Sequence, residues 1–538
     1  MKVIRLSIFA FFLSNAICLS AQNNSYDRMD EQYKESCTSI MVGKDASTDG
    51  SVMTSHTCDS NYRTYVTIEP RKKFSIGDME SIYTGLLHNE EPWDMRNVVE
   101  KGAIPAKEGQ TYRFLNVAYP CLNEKQLAIG ETTTEGRPEL LNNKGLFQIE
   151  ELERIALERC STAREAISLI GKLAEQYGYG DWGECITVAD KNEVWQFEIY
   201  GSGPGKPSAL WVAQRIPDDH VGISANIPRI GEVDFNNKEY FMTSSDLKKR
   251  SKELGYWDGK NPYIFHKVVS GGKPFSIREF YVLSTLAPSL NLQYDVEELP
   301  FSVKPDSKVS PEKMFELYRT TYENTEFNMV KNLSYQARRR VRQEDGTYKE
   351  YVETIYPVSN FMPRDLMNLL NEIKPGVIVR TRTIAVIQCA YSHIIQLRNW
   401  LPDEVGGVAY FAFDNPAQSP RIPIYAGTTS LPASFNICGQ HRYREDAAVW
   451  AFRETNRIAT INWDKSRKIL EPQRDIFESQ MMSQRKGVEE QAVLLIKEGK
   501  NEEAEQLLTN YTKNFASMTM QRWRELKSKV LELFIRSM

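Results

Sequence analysis

A chain of 538 residues that is 41% hydrophobic and 11% aromatic can bury an extensive core; its length allows about two or three average domains, or one large α/β body with additions. Its 67 basic and 71 acidic residues leave a net charge of −4, which gives no global basic field for nucleic acid or an anionic membrane surface.

The chain opens with Lys2 and Arg5, an apolar run from Leu6 to Leu13, and small residues at Ser20 and Ala21. That run is too short to span a bilayer, so residues 1–21 are predicted to be a cleaved secretory signal and no stable membrane insertion is expected. The protein is then exported, to a periplasm or outside the cell. A lipoprotein reading through Cys18 meets Ile17 where a small residue is expected. Residues 22–36 carry Asp27, Arg28, Asp30, Glu31, Lys34 and Glu35, with little to bury and no periodicity. They are read as a short propeptide, with a polar N-terminal tail as the alternative.

Cys37 gives the propeptide its meaning. A chain cut before Cys37 carries a thiol and a free α-amine on one residue. The thiolate is a strong nucleophile, and an α-amine with a pKa of about 8 can serve as its general base near neutral pH. This is the N-terminal-nucleophile arrangement.

From Cys37 the pattern reads strand, turn, strand: Thr38 to Val42, a turn over Lys44 to Gly50, then Val52 to Thr57, with a further strand over Tyr62 to Ile68. A β-region spans Phe114 to Thr133. Apolar spacing predicts a helix over Ile149 to Cys160. A second follows a capping box at Thr162 and Glu165 and stops at Gly178. Strands return at Cys185 to Val188 and Val194 to Tyr200, joined by a turn at Asp190 to Glu193, and then at Ala209 to Gln214 and Val221 to Ala225. Strand clusters around helices imply layered α and β packing. Phe235 to Pro300 is mixed. Arg338, Arg339, Arg340 and Arg342 beside Glu344 and Asp345 read as a solvated loop. Thr383 to Trp400 reads as a buried helix or a strand–helix pair. From about Asp475 the chain is helical, over Gly487 to Glu498, Glu502 to Thr509 and Met518 to Ile535.

Seven cysteines remain once Cys18 leaves with the signal, an odd number that flags a free thiol, with Cys37 the natural candidate. The others show no C-x-x-C pair and no zinc spacing, and several read as small buried hydrophobes. There is no H-E-x-x-H, phosphate-loop or G-x-S-x-G motif. His393, within an apolar run, reads as a packed core residue.

Taken together, these blocks resemble a known family. Cys37-Thr-Ser, Gly43-Lys-Asp-Ala-Ser-x-Asp-Gly-Ser51 and His56-x-x-Asp59 are similar to the opening of the N-terminal-nucleophile cysteine dipeptidases of the dipeptidase-A type, to which secernins are related. Leu127-Ala-Ile-Gly-Glu-Thr-Thr133, Trp195-x-Phe-Glu-Ile-x-Gly201, Ser224-Ala-Asn226 and Leu397-Arg-x-Trp-Leu-Pro-x-Glu-x-Gly-Gly407 continue the match to about residue 436. The resemblance implies an α+β fold, a four-layer αββα sandwich over 37–474, leaving 475–538 as a helical extension. It also implies autocatalytic propeptide removal, dipeptide substrates, and no metal or organic cofactor.

By the same resemblance Cys37 is the nucleophile, with its α-amine as base. Asp59 orients the amine, and His56 stands where the wider group has an arginine. Asn226 donates to the oxyanion, and Glu131, Thr132 and Thr133 lie where relatives supply a second oxyanion donor. Glu131 is also a candidate acceptor for a substrate ammonium. Two alternatives stay open: an amidase of the same chemistry acting on acylated amino acids, bile salts or β-lactams, and a non-enzymatic binding relative. Whether the chain forms a homo-oligomer is open as well.

Overall fold

Buried β-branched and apolar residues on both faces make the opening strand, Ser36–Val42; every residue after Ser36 is buried. Asp49 then closes a turn by accepting from the Ser51 backbone N–H and hydroxyl, and Gly50 takes the left-handed conformation (φ 85°) that the turn requires. The chain returns as Val52–Asp59, buried along its whole length. The computed structural model describes residues 36–92, 95–296 and 298–535. The expected signal and the expected propeptide, apart from Ser36, lie outside the described residues.

These two strands are the centre of a seven-stranded antiparallel sheet. Its order is Ser302–Val303, Val221–Ser224, Ser36–Val42, Val52–Asp59, Tyr391–Leu397, Val408–Phe413 and Ile422–Tyr425. A second, eight-stranded sheet contains Ala128–Thr133, Glu184–Ala189, Val194–Gly201 and Ala209–Arg215 as neighbours in that order. The opening hairpin lies against Ala128–Thr133, Glu184–Ala189 and Val194–Gly201 of that second sheet. Helices Ile149–Arg159 and Ala163–Tyr177 pack on the second sheet; Ile277–Leu286, Pro311–Arg319 and Ala448–Ala459 pack on the first. The result is a mixed α+β body. The capping box forms as the sequence indicated, with Thr162 Oγ1 accepting from the Glu165 N–H and Glu165 returning a bond to the Thr162 N–H.

Four local expectations change. Tyr62 to Ile68 is strand only from Thr67 to Glu69. Upstream the backbone is drawn to other segments: the Val66 N–H donates to the Phe435 carbonyl and the Thr64 N–H to Cys438 Sγ. Thr383 to Trp400 contains no helix; it holds one strand, Tyr391–Leu397, paired on both sides inside the first sheet. A short apolar run is ambiguous between helix and buried strand, and pairing decides it. The arginine cluster lies in an exposed hairpin, Tyr335–Arg342 with Tyr348–Ile355, rather than a loop. The C-terminal helices are two rather than three, Trp463–Lys497 and Asn501–Ile535, and residue 475 falls inside the first.

The last helix is no appendage. It packs along Ile422–Tyr425 and Ala448–Ala459, and Phe515, Trp523, Leu526 and Val530 are buried in the same apolar core as the sheets. Among the described residues no helix is long and apolar enough to cross a membrane.

Candidate active site

Cys37 is the second residue of the opening strand, opposite Cys58 in the neighbouring one, and it is completely buried. Its nitrogen is still acylated by Ser36, so it is a peptide N–H. It donates to Asn226 Oδ1 at 2.8 Å. Asn226 follows the strand Val221–Ser224, the other neighbour of Ser36–Val42, and sits at φ 60°, a left-handed conformation that asparagine tolerates better than most residues. Its Nδ2 donates to the Thr133 carbonyl at 2.7 Å. One side chain thus joins the nitrogen of Cys37 to the end of Ala128–Thr133 in the facing sheet.

On the thiol side, Cys37 Sγ, a ring nitrogen of His56 and a carboxylate oxygen of Glu131 lie within 4.8 Å of one another, all buried. His56 Nδ1 is 2.7 Å from the Glu131 carbonyl and 3.3 Å from the Glu131 backbone nitrogen; the shorter contact is to an oxygen that can only accept, which favours a proton on Nδ1. Burial holds the His56 pKa down to about 4 despite that hydrogen bond. Burial, then the nearby Glu131 carboxylate, Cys58 and Asp59, push the Cys37 thiol well above the ordinary thiol range. The sulfur is therefore a protonated thiol in this state. Glu131 also accepts from the Thr133 hydroxyl at 3.2 Å. Glu184, paired beside Thr133 on the next strand, is held far above the usual carboxylate range by burial and then by Glu131. Thr132 Oγ1 meets the Ser224 hydroxyl across the two sheets.

Asp59, expected to orient the amine that processing would free, holds other groups while Cys37 is acylated. Its carboxylate accepts from Thr57 Oγ1 and from Arg382 Nη2, each at 2.7 Å, while the Cys37 N–H goes to Asn226. Two arginines that the sequence reading missed frame the nucleophile. Arg278, on Ile277–Leu286, donates to the Cys37 carbonyl and to Thr38 Oγ1, and through Nη2 to Asn226 Oδ1 at 2.9 Å. Burial, and then the neighbouring Arg382, lower its pKa to about 9. Arg382 holds Ser36 as well as Asp59. Arg278 stands in the illegible 235–300 region. The only signal for Arg382 was the Arg380-Thr-Arg382 pair ahead of a buried apolar run. His393 is buried against His56, with ring centroids 5.5 Å apart, as a core residue.

A buried thiol, imidazole and carboxylate at this spacing can serve a nucleophile or, deprotonated, form three ligands of the kind zinc takes. A profile of peptidase family C69 matches residues 36–474. A probable dipeptidase B of Streptococcus pyogenes serotype M1 is 23% identical over 523 residues, covering 92% of this chain and 93% of its own. A probable dipeptidase of Latilactobacillus sakei is 25% identical over 423 residues, or 74% and 76% of the two chains. Dipeptidase A of Lactobacillus helveticus is 22% identical over 461 residues, 83% and 86% of the two. With the profile spanning the opening strand, both sheets and the residues that meet around Cys37, the chain belongs to peptidase family C69.

Proposed function

We propose that the protein is a cysteine-type dipeptidase, exported as a precursor and activated when the bond between Ser36 and Cys37 is cut. The observation that carries the reading is the double engagement of Cys37: its nitrogen meets Asn226 at 2.8 Å while its sulfur shares a buried cluster with His56 and Glu131. Membership of family C69 and the dipeptidase names of its relatives support dipeptides as substrates. The two facing sheets, with helices on the outer side of each, support reading the body as the four-layer αββα sandwich of N-terminal-nucleophile hydrolases.

Before processing, the thiol is buried and protonated, and no amine exists to take its proton. Cutting before Cys37 converts the peptide nitrogen into an α-amine. The guanidinium of Arg278, already on the Cys37 carbonyl and on Asn226, favours the neutral amine, because a nearby positive charge disfavours its protonation. The amine then takes the thiol proton, and the thiolate attacks the carbonyl of the dipeptide. Asn226 Nδ2 has two N–H groups; one goes to Thr133 and the other is available to the oxyanion, together with a backbone N–H of the Glu131–Thr133 segment. The protonated amine gives its proton to the leaving amino acid, and water activated by the same amine hydrolyses the thioester. Glu131 accepts the substrate ammonium. His56, neutral and bound to the Glu131 backbone, keeps that residue in place.

The test pairs intact-mass analysis with a substrate panel. Active protein should begin at Cys37 and cleave free dipeptides, resist N-acetylated ones, and ignore penicillin V and bile-salt conjugates. Cys37→Ala should remain unprocessed and inert. An active species that retains residues 23–36 would remove the amine from the mechanism.

A further inference from the structure

Ser36 is gripped by a single side chain. Arg382 donates through Nε to Ser36 Oγ at 3.0 Å, and through Nη2 to Ser36 Oγ at 2.8 Å and to the Ser36 carbonyl at 3.3 Å. The same Nη2 is 2.7 Å from the fully buried carboxylate of Asp59, which fixes the guanidinium in place. Arg382 is also one wall of a cavity of about 360 Å³, whose other walls include Asn226, Arg278, Phe275, Ile277 and Tyr294. Arg278 is only 5% exposed, and its Nε has no hydrogen-bond partner among the described residues. The cavity is lined by three arginines, Arg278, Arg380 and Arg382, beside the apolar Phe275, Ile277 and Tyr294, and it reaches Asn226, which holds the Cys37 nitrogen.

The proposed chemistry says what should enter it. The α-amine of Cys37 must protonate the leaving nitrogen, so that nitrogen comes within hydrogen-bond reach of Cys37 N. Asn226 already occupies one side of Cys37 N, and the side that opens on processing is the one Ser36 leaves. In a dipeptide the free carboxylate carbon is two bonds from the leaving nitrogen. Its oxygens then fall where Arg382 now holds the oxygens of Ser36.

We propose that Arg382 is a specificity-determining residue: it binds the free α-carboxylate of the substrate's leaving residue on the donors that Ser36 vacates, with that residue's side chain in the cavity against Phe275, Ile277 and Tyr294. A guanidinium offers a planar fork that matches a carboxylate with two parallel bonds. The apolar walls favour leaving residues such as leucine or phenylalanine over charged ones. Before processing, Ser36 sits in the carboxylate's place, so the precursor blocks its own substrate site. The inference rests on the reading of Cys37 as nucleophile with its own amine as acid and base.

The experiment compares Ala-Leu with Ala-Leu amide on processed full-length enzyme, its N-terminus checked by intact mass. Wild type should prefer the free acid by roughly ten- to hundredfold in kcat/KM, the range expected for losing a charged hydrogen-bonded pair. In Arg382→Gln the two rates should converge by loss on the free acid; Arg382→Lys should keep part of the preference. Because either substitution also disturbs Asp59, a second measurement uses wild type alone: free leucine should inhibit at lower concentration than leucinamide. Equal rates on acid and amide, equal inhibition by leucine and leucinamide, or full preference retained in processed Arg382→Gln would each overturn the proposal. Failure of the dipeptidase reading looks different: processed wild type would hydrolyse neither compound, and both ideas would fall together.

Discussion

Asn226→Asp removes the Asn226 amide N–H groups and adds a negative charge beside the Cys37 nitrogen, which favours the protonated amine, so both changes lower the rate. The wild-type side chain makes three hydrogen bonds: it accepts from the Cys37 N–H at 2.8 Å and from Arg278 Nη2 at 2.9 Å, and donates to the Thr133 carbonyl at 2.7 Å. Aspartate keeps both acceptor contacts and tolerates the φ of 60°, where alanine would add about 1 kcal/mol of backbone strain. It loses every N–H. Losing one oxyanion donor lowers kcat by about 10²–10³, or roughly 3–4 kcal/mol of barrier. The Thr133 carbonyl also loses its donor; the bond is only partly buried, so the stability loss is about 1 kcal/mol. Steady-state release of the C-terminal amino acid gives kcat and KM, and a urea melt gives the stability term. A folded Asn226→Asp enzyme with wild-type kcat and only a raised KM would refute the oxyanion role and make Asn226 a ground-state binding residue.

Three further outcomes are expected. His56 has a folded pKa of about 4 against its ordinary 6.5, so between those values the unfolded chain takes up a proton that the folded one refuses, and stability falls as pH drops through that window. The total is on the order of 3 kcal/mol. His393, also lowered by burial, adds to the loss, and Glu198, raised by burial to about 7, opposes it, so denaturation curves at pH 4.5 and 6.5 should be compared between wild type and His56→Asn; an unchanged pH dependence in the variant would make His393 or another group the source. If the thiol is the nucleophile as proposed, a chelator should leave dipeptide hydrolysis intact; loss of activity restored by zinc would turn Cys37, His56 and Glu131 into a metal site. Trp523→Ala should lower stability by about 3–5 kcal/mol in a urea melt, since the indole is fully buried and donates to Asn456 Oδ1 at 3.1 Å; a change below 1 kcal/mol would make the last helix peripheral.

The residues that meet at the centre were legible through two signals. Cys37 stood out by its own chemistry behind a polar leader, and His56, Asp59, Glu131 and Asn226 through the motifs of the family resemblance; strand patterning alone marked none of them. Arg278 and Arg382 were not legible, for a physical reason: each reaches the nucleophile by a long side chain from an element whose own pattern says nothing about the site. The same limit explains the first strand after the opening hairpin. Tyr62 to Val66 has strand-like residues, but its backbone N–H groups go to Leu87, Cys438 and Phe435, none of which a local window sees. Tyr391–Leu397 was ambiguous in the same way, its apolar run fitting helix or strand until its two neighbours fixed the choice. The long C-terminal helices were recognised as helical but cut into three, because Pro472 and weakly periodic stretches look like ends when the tertiary contacts that carry a helix through them are invisible.

The strand Ser36–Val42 lies between a strand that begins at Val221 and one that ends at Asp59, and its Cys37 is met by Asn226 and Arg278, with Arg382 on Ser36. A growing or translocating polypeptide presents Cys37 long before those partners exist. During that interval the thiol has neither its acceptor nor its clamp, and Ser36 swings free of the arginine that later holds it. In the proposed scheme, cutting at Cys37 is therefore a receipt for long-range assembly: only a chain that has brought Asn226 and Arg278 back to Cys37 has the geometry to release its own catalytic amine. Enzyme that is active is, by construction, enzyme that has folded.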